Sequence, residues 1–166
     1  MTLQNFSDFR FLLVDSESTS NYRANNGIAF GLYQFTKARI KTVAEYLNES
    51  IPSVELFLTD RAMQDRFFLA HIELILAYIE LNQLLTFEGK LITGKNKYPQ
   101  TVPVNIYGIV AGAHLGGESG VKNFLQNNVD RKDKFGTYIS DYVAKFSDKM
   151  QIVLASKKKT LITSQA

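Results

Sequence analysis

Residues 60–81, DRAMQDRFFLAHIELILAYIEL, decide the fold class of this chain. Their apolar side chains recur at helical spacing and cover two adjoining stripes. A helix that is apolar around most of its circumference lies in the interior of a domain. The stretch therefore predicts a long central helix, the longest element of a mostly α fold, with His71 as a hydrogen-bonded core residue. The stripes are Met63, Phe67, Ala70, Leu74, Ala77, Tyr78 and Leu81, and Phe68, Ile72, Ile75 and Ile79.

Shorter helices are predicted before and after the central one. Thr36 is a suitable N-cap for one of them, and a short turn of helix is predicted to start at Pro52 and Ser53. Residues 18–30 are predicted to be a loop or a short irregular hairpin, which supplies the predicted β structure, and residues 86–100 are predicted to be a polar loop. The other predicted helices are residues 7–17, a helix from Thr101 in which Gly108 and Gly112 allow close approach of a neighbour, a short helix from Ser119, and a final helix after Thr137 with Ile139, Tyr142, Val143 and Phe146 buried.

Length and composition predict a single domain and exclude several kinds of site. The 166 residues are 45% hydrophobic, which is enough for one core. We expect residues 1–150 to form this domain and residues 151–166 to form a tail, either a docked strand or a frayed end. The chain contains no Cys and two His, so disulfides and thiolate chemistry are excluded, and we expect neither a metal nor a cofactor.

The net charge of +3 suits an anionic polymer without selecting one. The one run of three basic residues, Lys157 to Lys159, has no aromatic residues interleaved with it. Because single-stranded nucleic acids are bound by aromatic side chains within basic grooves, we expect no nucleic-acid binding. No apolar run is long enough to cross a bilayer, so we expect no transmembrane segment.

Glu17 is the first candidate for chemistry. Counting back from it gives Leu13, Phe9 and Phe6, at steps of four, four and three, so the acid shares a helical face with three large apolar side chains. Loss of hydration on such a face raises the pKa of a carboxyl group, as a general acid requires near neutral pH. The alternative is a helix-ending Glu that turns into solvent.

Four segments stand out in chain order. They are Glu17-Ser18 with Asn21-Tyr22 and Ala24, residues 31–34 (GLYQ), residues 113–117 (AHLGG) with Val121, and Tyr142-Val143. Together they resemble the lysozyme-like lytic transglycosylases and muramidases, most closely the peptidoglycan-degrading domains of phage tails and secretion-system effectors. The first segment is similar to the catalytic Glu-Ser of that family, and the second to its Gly-Leu-x-Gln segment. The third is similar to its Ala-Tyr-Asn-Ala-Gly segment, with His114 in place of Tyr, and the fourth to its late Tyr-Val.

The resemblance covers about residues 6–146 and implies a lysozyme-like α+β fold, in which two lobes are joined by a long helix with the active cleft between them. It implies cleavage of the β-1,4 bond between N-acetylmuramic acid and N-acetylglucosamine in peptidoglycan. The implied site residues are Glu17 as general acid and Ser18, Tyr33, Gln34, His114 and Tyr142 as substrate-binding residues. For Tyr33 and Gln34 the alternative is packing of the hairpin, and for His114 it is capping of its helix.

A second carboxylate is missing from the segment that follows Glu17. Residues 18–44 contain no Asp or Glu, which disfavours an enzymic nucleophile in that segment. The gap suits a lytic transglycosylase, in which the 6-hydroxyl of the sugar attacks, whereas Glu45 or Glu118 would be the base of an inverting hydrolase. The alternative from another class is an inactive lysozyme-like module that binds the wall or serves a larger assembly.

The expected partners are peptidoglycan glycan strands, with an immunity protein or a delivery apparatus as further candidates. Residues 1–17 lack the basic start, uninterrupted apolar core and small-residue cleavage site of a Sec signal peptide. We therefore expect a chain that is made in the cytoplasm and acts in the periplasm or on a target cell wall after delivery by a non-Sec route.

Overall fold

The structure is a computed structural model that describes residues 5–16, 21–133 and 136–163, with side chains as far as residue 158. The chain is mostly helical, at 63% helix, with small two-stranded antiparallel sheets, so the predicted mostly α, α+β fold class is confirmed. The elements are α1 Phe6–Ser16, β1 Ala29–Phe30, β2 Phe35–Thr36, α2 Lys37–Tyr46, α3 Val54–Thr59, α4 Arg61–Leu81, a short 3-10 helix Leu84–Phe87, β3 Leu91–Thr93, β4 Thr101–Pro103, α5 Ile106–Gly116, α6 Glu118–Asn127 and α7 Ile139–Thr163.

The chain divides into two compact units. The first unit is Arg10–Leu74, and the second unit combines Met1–Phe9 with Ile75–Ala166. Both boundaries fall inside helices, because α1 is divided after Phe9 and α4 after Leu74. Each of these two helices therefore contributes side chains to both units.

Capping side chains start the short helices of the first unit where the sequence predicts them. The Thr36 hydroxyl accepts a hydrogen bond from the backbone N–H of Arg39 at 3.2 Å, and the Ser53 hydroxyl accepts one from Leu56 at 3.1 Å. Each cap satisfies an N–H group that the first turn of a helix leaves without an intrahelical partner. The predicted starts of α2 and α3 are confirmed.

A second hairpin lies where the sequence predicts a polar loop and the start of a helix. Residues 91–93 pair antiparallel with residues 101–103. Strands of three residues are too short to show alternation clearly, and here Ile92 and Val102 point inward while Leu91 remains exposed. The prediction of a helix from Thr101 is wrong, because α5 begins after Asn105, whose side chain accepts a hydrogen bond from Gly108 N–H at 3.1 Å.

The C-terminal segment continues α7 rather than forming a strand or a frayed end. Residues 151–163 are helical, and α7, at 25 residues, is longer than the 21-residue α4. The prediction of a docked strand or a frayed end for this segment and the prediction that α4 is the longest element are therefore wrong. Lys157 Nζ forms an ion pair with Asp8 and a 3.3 Å hydrogen bond with Asn5 Oδ1, which fixes the end of α7 to the start of α1 within the second unit.

The core of the second unit depends on two glycines of α5. A Cβ atom on Gly108 would collide with the Val143 carbonyl oxygen and the Ser147 hydroxyl, and one on Gly112 would lie 2.8 Å from Val143 Cγ2. Val143 and Ser147 belong to α7, so the predicted close approach of a neighbouring helix is confirmed. On α1, Phe9 packs edge-on against Phe146 of α7, with ring centres 6.1 Å apart.

The core of the first unit is built from aromatic side chains on α4. Phe67 packs edge-on against Phe57 of α3, with ring centres 5.7 Å apart, and both rings are fully buried. His71 is also buried and lies edge-on to Phe35, so it is the core histidine that the sequence predicts.

The predicted burial is confirmed for one of the two apolar stripes of α4 and only in part for the other. The stripe formed by Phe68, Ile72, Ile75 and Ile79 is buried throughout. The other stripe is only partly buried, because Ala77 is exposed, Leu74 is half-buried and Leu81 is 83% exposed. An apolar residue on a helix does not by itself identify the buried face, since folded proteins expose many apolar atoms.

Phe67→Ala should lower the free energy of unfolding by about 3 to 5 kcal/mol, because it removes a fully buried ring from the aromatic core. Leu81→Ala, on the same helix, is the matched control and should change that free energy by less than about 0.5 kcal/mol. Urea denaturation of both variants measures the difference. If Phe67→Ala lowered the free energy of unfolding as little as the control does, the core of the first unit would not depend on Phe67.

Candidate functional site

Residues 31–34, GLYQ, form the loop between β1 and β2. These strands pair at only two positions, so the loop depends on its own hydrogen bonds and on contacts with α4. Gly31 and Gln34 both have left-handed backbone conformations, with φ of 74° and 51°. The amide of Gln34 closes the loop, donating to the Gly31 carbonyl at 2.9 Å and accepting from Asn26 Nδ2 at 3.3 Å. A left-handed Gln is disfavoured by sterics and marks a backbone that its surroundings hold firmly.

The side chain of Gln64, on α4, lies in the core and forms a hydrogen bond with this loop. Its amide is fully buried, and Oε1 accepts a hydrogen bond from Leu32 N–H at 2.9 Å. Nε2 donates to the carbonyls of Tyr22 and Phe57, both at 2.8 Å. A Cβ atom at Gly31 would collide with this amide, so glycine is required there by contact as well as by φ.

Tyr33 turns its ring into the core. The ring is 1% exposed and stacks on Phe68 with centres 4.0 Å apart and planes 7° apart. Its hydroxyl donates to Asp65 Oδ1 at 2.7 Å. Burial, and then this hydrogen bond, raise the pKa of Tyr33 far above its usual range, so the phenol stays protonated. This placement favours the interpretation that the Tyr33 ring packs the hairpin. The hydroxyl is then the polar group that Tyr33 contributes.

Asp65 collects donors from three segments of the first unit. Besides Tyr33, Arg10 Nη2 donates to Oδ1 at 2.7 Å and the Tyr22 hydroxyl donates to it at 3.1 Å. The side chains of Arg10 and Asp65 are each 36% exposed, so the group lies at the edge of the core. We call Arg10, Tyr22, Tyr33 and Asp65 the Asp65 cluster.

The sequence alone does not reveal the Asp65 cluster. Its members are distributed over α1, the segment after residue 20, the GLYQ loop and α4, and no local spacing connects them. The available signal was Asp65 itself, a carboxylate that follows Gln64 shortly before the apolar pair Phe67-Phe68 of α4.

The predicted acid Glu17 and its neighbour Ser18 lie outside the described residues. The described part of α1 ends one residue earlier, at Ser16, and Phe9 and Leu13 on the predicted face are fully buried. The burial of that face is therefore confirmed for these two side chains, whereas the role of Glu17 stays a prediction.

Glu45 and Glu118, the two predicted alternatives for a catalytic base, both lie on helices, and neither is fully buried. Glu45 is exposed on α2 and pairs with Lys41 at 3.8 Å. Glu118 is half-buried in the first turn of α6, in the second unit.

His114 and Tyr142 belong to the second unit, whereas Tyr33 and Gln34 belong to the first. His114 is half-buried in the last turn of α5. Tyr142 is half-buried near the start of α7, and its hydroxyl donates to Asp133 Oδ2 at 2.6 Å. Tyr142 also lines a cavity of about 230 Å³ together with Arg131 and the backbone around Gly116.

A larger cavity of about 400 Å³ lies elsewhere in the second unit. Its apolar wall comes from side chains that include Phe87, Ile92 and Phe124, with Lys90 and Lys95 among its polar lining. Among the predicted site residues that the structure describes, none lines this cavity.

The described residues were also compared with the geometry of metal sites and of membrane-spanning helices. Within the described residues, no group of three or more His, Asp or Glu side chains is placed to hold a metal ion. No helix in the same part of the chain is long and apolar enough to span a membrane.

Comparison with known protein families, with curated proteins and with solved structures gives no match to this chain. Its function is therefore inferred from its own residues and their geometry.

Asp141 fixes the start of the helix that carries Tyr142. This carboxylate is 1% exposed, and Oδ1 accepts hydrogen bonds from the N–H groups of Asn96 at 2.9 Å and Tyr98 at 3.2 Å. Oδ2 accepts from the N–H of Tyr138 at 3.1 Å. Burial alone would raise the pKa of Asp141, but the backbone donors outweigh it and hold the pKa below its usual value.

Asp141→Asn should lower the free energy of unfolding at pH 7 by about 1.5 to 3 kcal/mol, because the backbone donors lose a charged acceptor. Since the folded pKa is depressed, the contribution of Asp141 is complete above its unfolded pKa of about 3.9 and is lost as the pH falls through the folded value. The difference between wild type and variant should therefore shrink below about pH 4. Urea denaturation at several pH values measures it, with the exposed Glu80→Gln as control. A difference that does not change with pH would contradict this role.

Proposed function

We propose that this chain cleaves the β-1,4 bond between N-acetylmuramic acid and N-acetylglucosamine in peptidoglycan, with Glu17 as the general acid. The observation that carries the proposal is that one carboxylate joins described residues on either side of Glu17 in the sequence to the GLYQ loop. The Asp65 carboxylate joins α1, which leads to Glu17, to Tyr22, which follows it, and to the GLYQ loop through Tyr33.

Glycosidic cleavage requires a proton on the leaving oxygen and a firm arrangement of the groups around it. Glu17 is four residues beyond Leu13, which is fully buried, and so continues the apolar face of α1 in sequence. The loop at residues 31–34 is held by the buried Gln64 and by its own Gln34 amide. The pre-organised loop supports the proposal, because the proposed reaction needs polar groups that are held firmly.

The proposed partner is the glycan strand of peptidoglycan, reached by a non-Sec route. An inactive wall-binding module with the same fold is the competing proposal. The retained Glu17 favours the enzyme, and loss of turbidity of purified cell walls separates the two, because a binding module leaves the turbidity unchanged.

Glu17→Gln should reduce wall lysis by about 10²-fold or more, since an amide cannot donate the proton and general acids contribute on this scale. The melting temperature should remain close to that of the wild type, because the two side chains have nearly the same shape. Asp15→Asn is the matched control: it makes the same change at an exposed position of α1 and should retain full activity. Strong residual lysis by the Glu17 variant would remove Glu17 from the role of acid.

Digested peptidoglycan should carry 1,6-anhydromuramic ends. Residues 18–44 contain no carboxylate, and Asp65 Oδ1 already accepts three hydrogen bonds, so the 6-hydroxyl of the sugar is the favoured nucleophile. Mass spectrometry decides this, because an anhydro end is lighter than a reducing end by one water. If only reducing ends appear, the enzyme is a hydrolase, and Asp65 Oδ2, Glu45 and Glu118 become the candidates for the base.

A further inference from the structure

We propose that Asp65 is the positioning residue of the reaction, holding the chain on both sides of Glu17 and the GLYQ loop in one arrangement. This inference rests on the proposed function and adds a residue that the sequence does not single out. Asp65 acts through its neighbours and is not itself assigned contact with the substrate.

Two of the residues that donate hydrogen bonds to Asp65 lie on either side of Glu17 in the sequence. Arg10, seven residues before Glu17, and Tyr22, five residues after it, both donate to the same oxygen of Asp65. The third donor is Tyr33 of the GLYQ loop, at 2.7 Å. One carboxylate oxygen therefore fixes the two ends of the segment that carries the proposed acid.

The three side chains that donate to Asp65 keep their protons near neutral pH, so their hydrogen bonds do not depend on pH in that range. Burial, followed by the hydrogen bond to Asp65, raises the pKa of both Tyr22 and Tyr33, so both phenols remain protonated near neutral pH. The guanidinium of Arg10 is charged at every relevant pH. It also lies over the Tyr33 ring, 5.5 Å from the ring centre, so it contacts both the carboxylate and the loop.

The cluster matters for rate because catalysis depends steeply on geometry. A displacement of about 1 Å at a reacting group costs up to about 10²-fold in rate. Tyr33→Phe removes one hydroxyl from the cluster and keeps the ring that stacks on Phe68, so it loosens the loop without opening the core. Asp65→Asn removes the charge that all three donors share.

The experiment compares Tyr33→Phe and Asp65→Asn with a matched control, Tyr98→Phe. Tyr98 of the second unit also donates its hydroxyl to a carboxylate, that of Asp148, but lies outside the Asp65 cluster. Initial rates of wall lysis over a range of peptidoglycan concentrations give kcat and KM for folded protein. Amide hydrogen exchange of residues 21–24 and 31–34 measures whether these segments are held.

We expect kcat to fall about 10-fold for Tyr33→Phe and more for Asp65→Asn, with KM within about twofold of the wild type. Exchange of both segments should become faster, and Tyr98→Phe should match the wild type in rate and in exchange there. Full kcat in both cluster variants, or unchanged exchange in the two segments, would overturn the inference while leaving the proposed function intact. A wild-type protein that does not lyse walls would overturn the proposed function, and with it the catalytic purpose of Asp65.

Discussion

The first unit depends on one buried amide, the side chain of Gln64. Its three hydrogen bonds reach Leu32 in the GLYQ loop, Tyr22 in the preceding segment and Phe57 in α3. A fully buried polar group that loses its partners costs about 1 to 3 kcal/mol, so all three segments must be present together for the amide to be accommodated. This requirement explains why a hairpin with only two paired positions has a defined loop at its tip.

Gln64 and Asp65 are neighbours on α4 but serve different surroundings. Successive residues of a helix point about 100° apart, and here the first side chain is fully buried while the second lies at the edge of the core. Gln64 binds backbone groups and so sets the path of the chain. Asp65 binds side chains and so sets the arrangement of polar groups beside the GLYQ loop. A short segment of one helix thus determines both the shape and the chemistry of this region.

The sequence predicted the features that follow from local rules. Helical periodicity predicted α4 and its buried Phe68 stripe, and the paired glycines predicted the close packing of α5. The cap Thr36 predicted the start of α2, and the chain break at Pro52 and Ser53 predicted the start of α3. The second hairpin was missed because its strands are short, and the length of α7 was missed because residues 156–160 are Ser, Lys and Thr, which give no apolar periodicity. The Asp65 cluster was missed for another reason: its donors lie 32 to 55 positions away from the carboxylate, a distance that no local pattern spans.

The packing of Phe9 has a consequence for synthesis of the chain. Phe9 is fully buried, and the rings that cover it include Tyr107 of α5 and Phe146 of α7, which are translated much later. Contacts between residues so far apart in sequence form slowly, because a long loop must close first. During synthesis the Phe9 side chain is therefore exposed to water until most of the protein, including Tyr107 and Phe146, has left the ribosome.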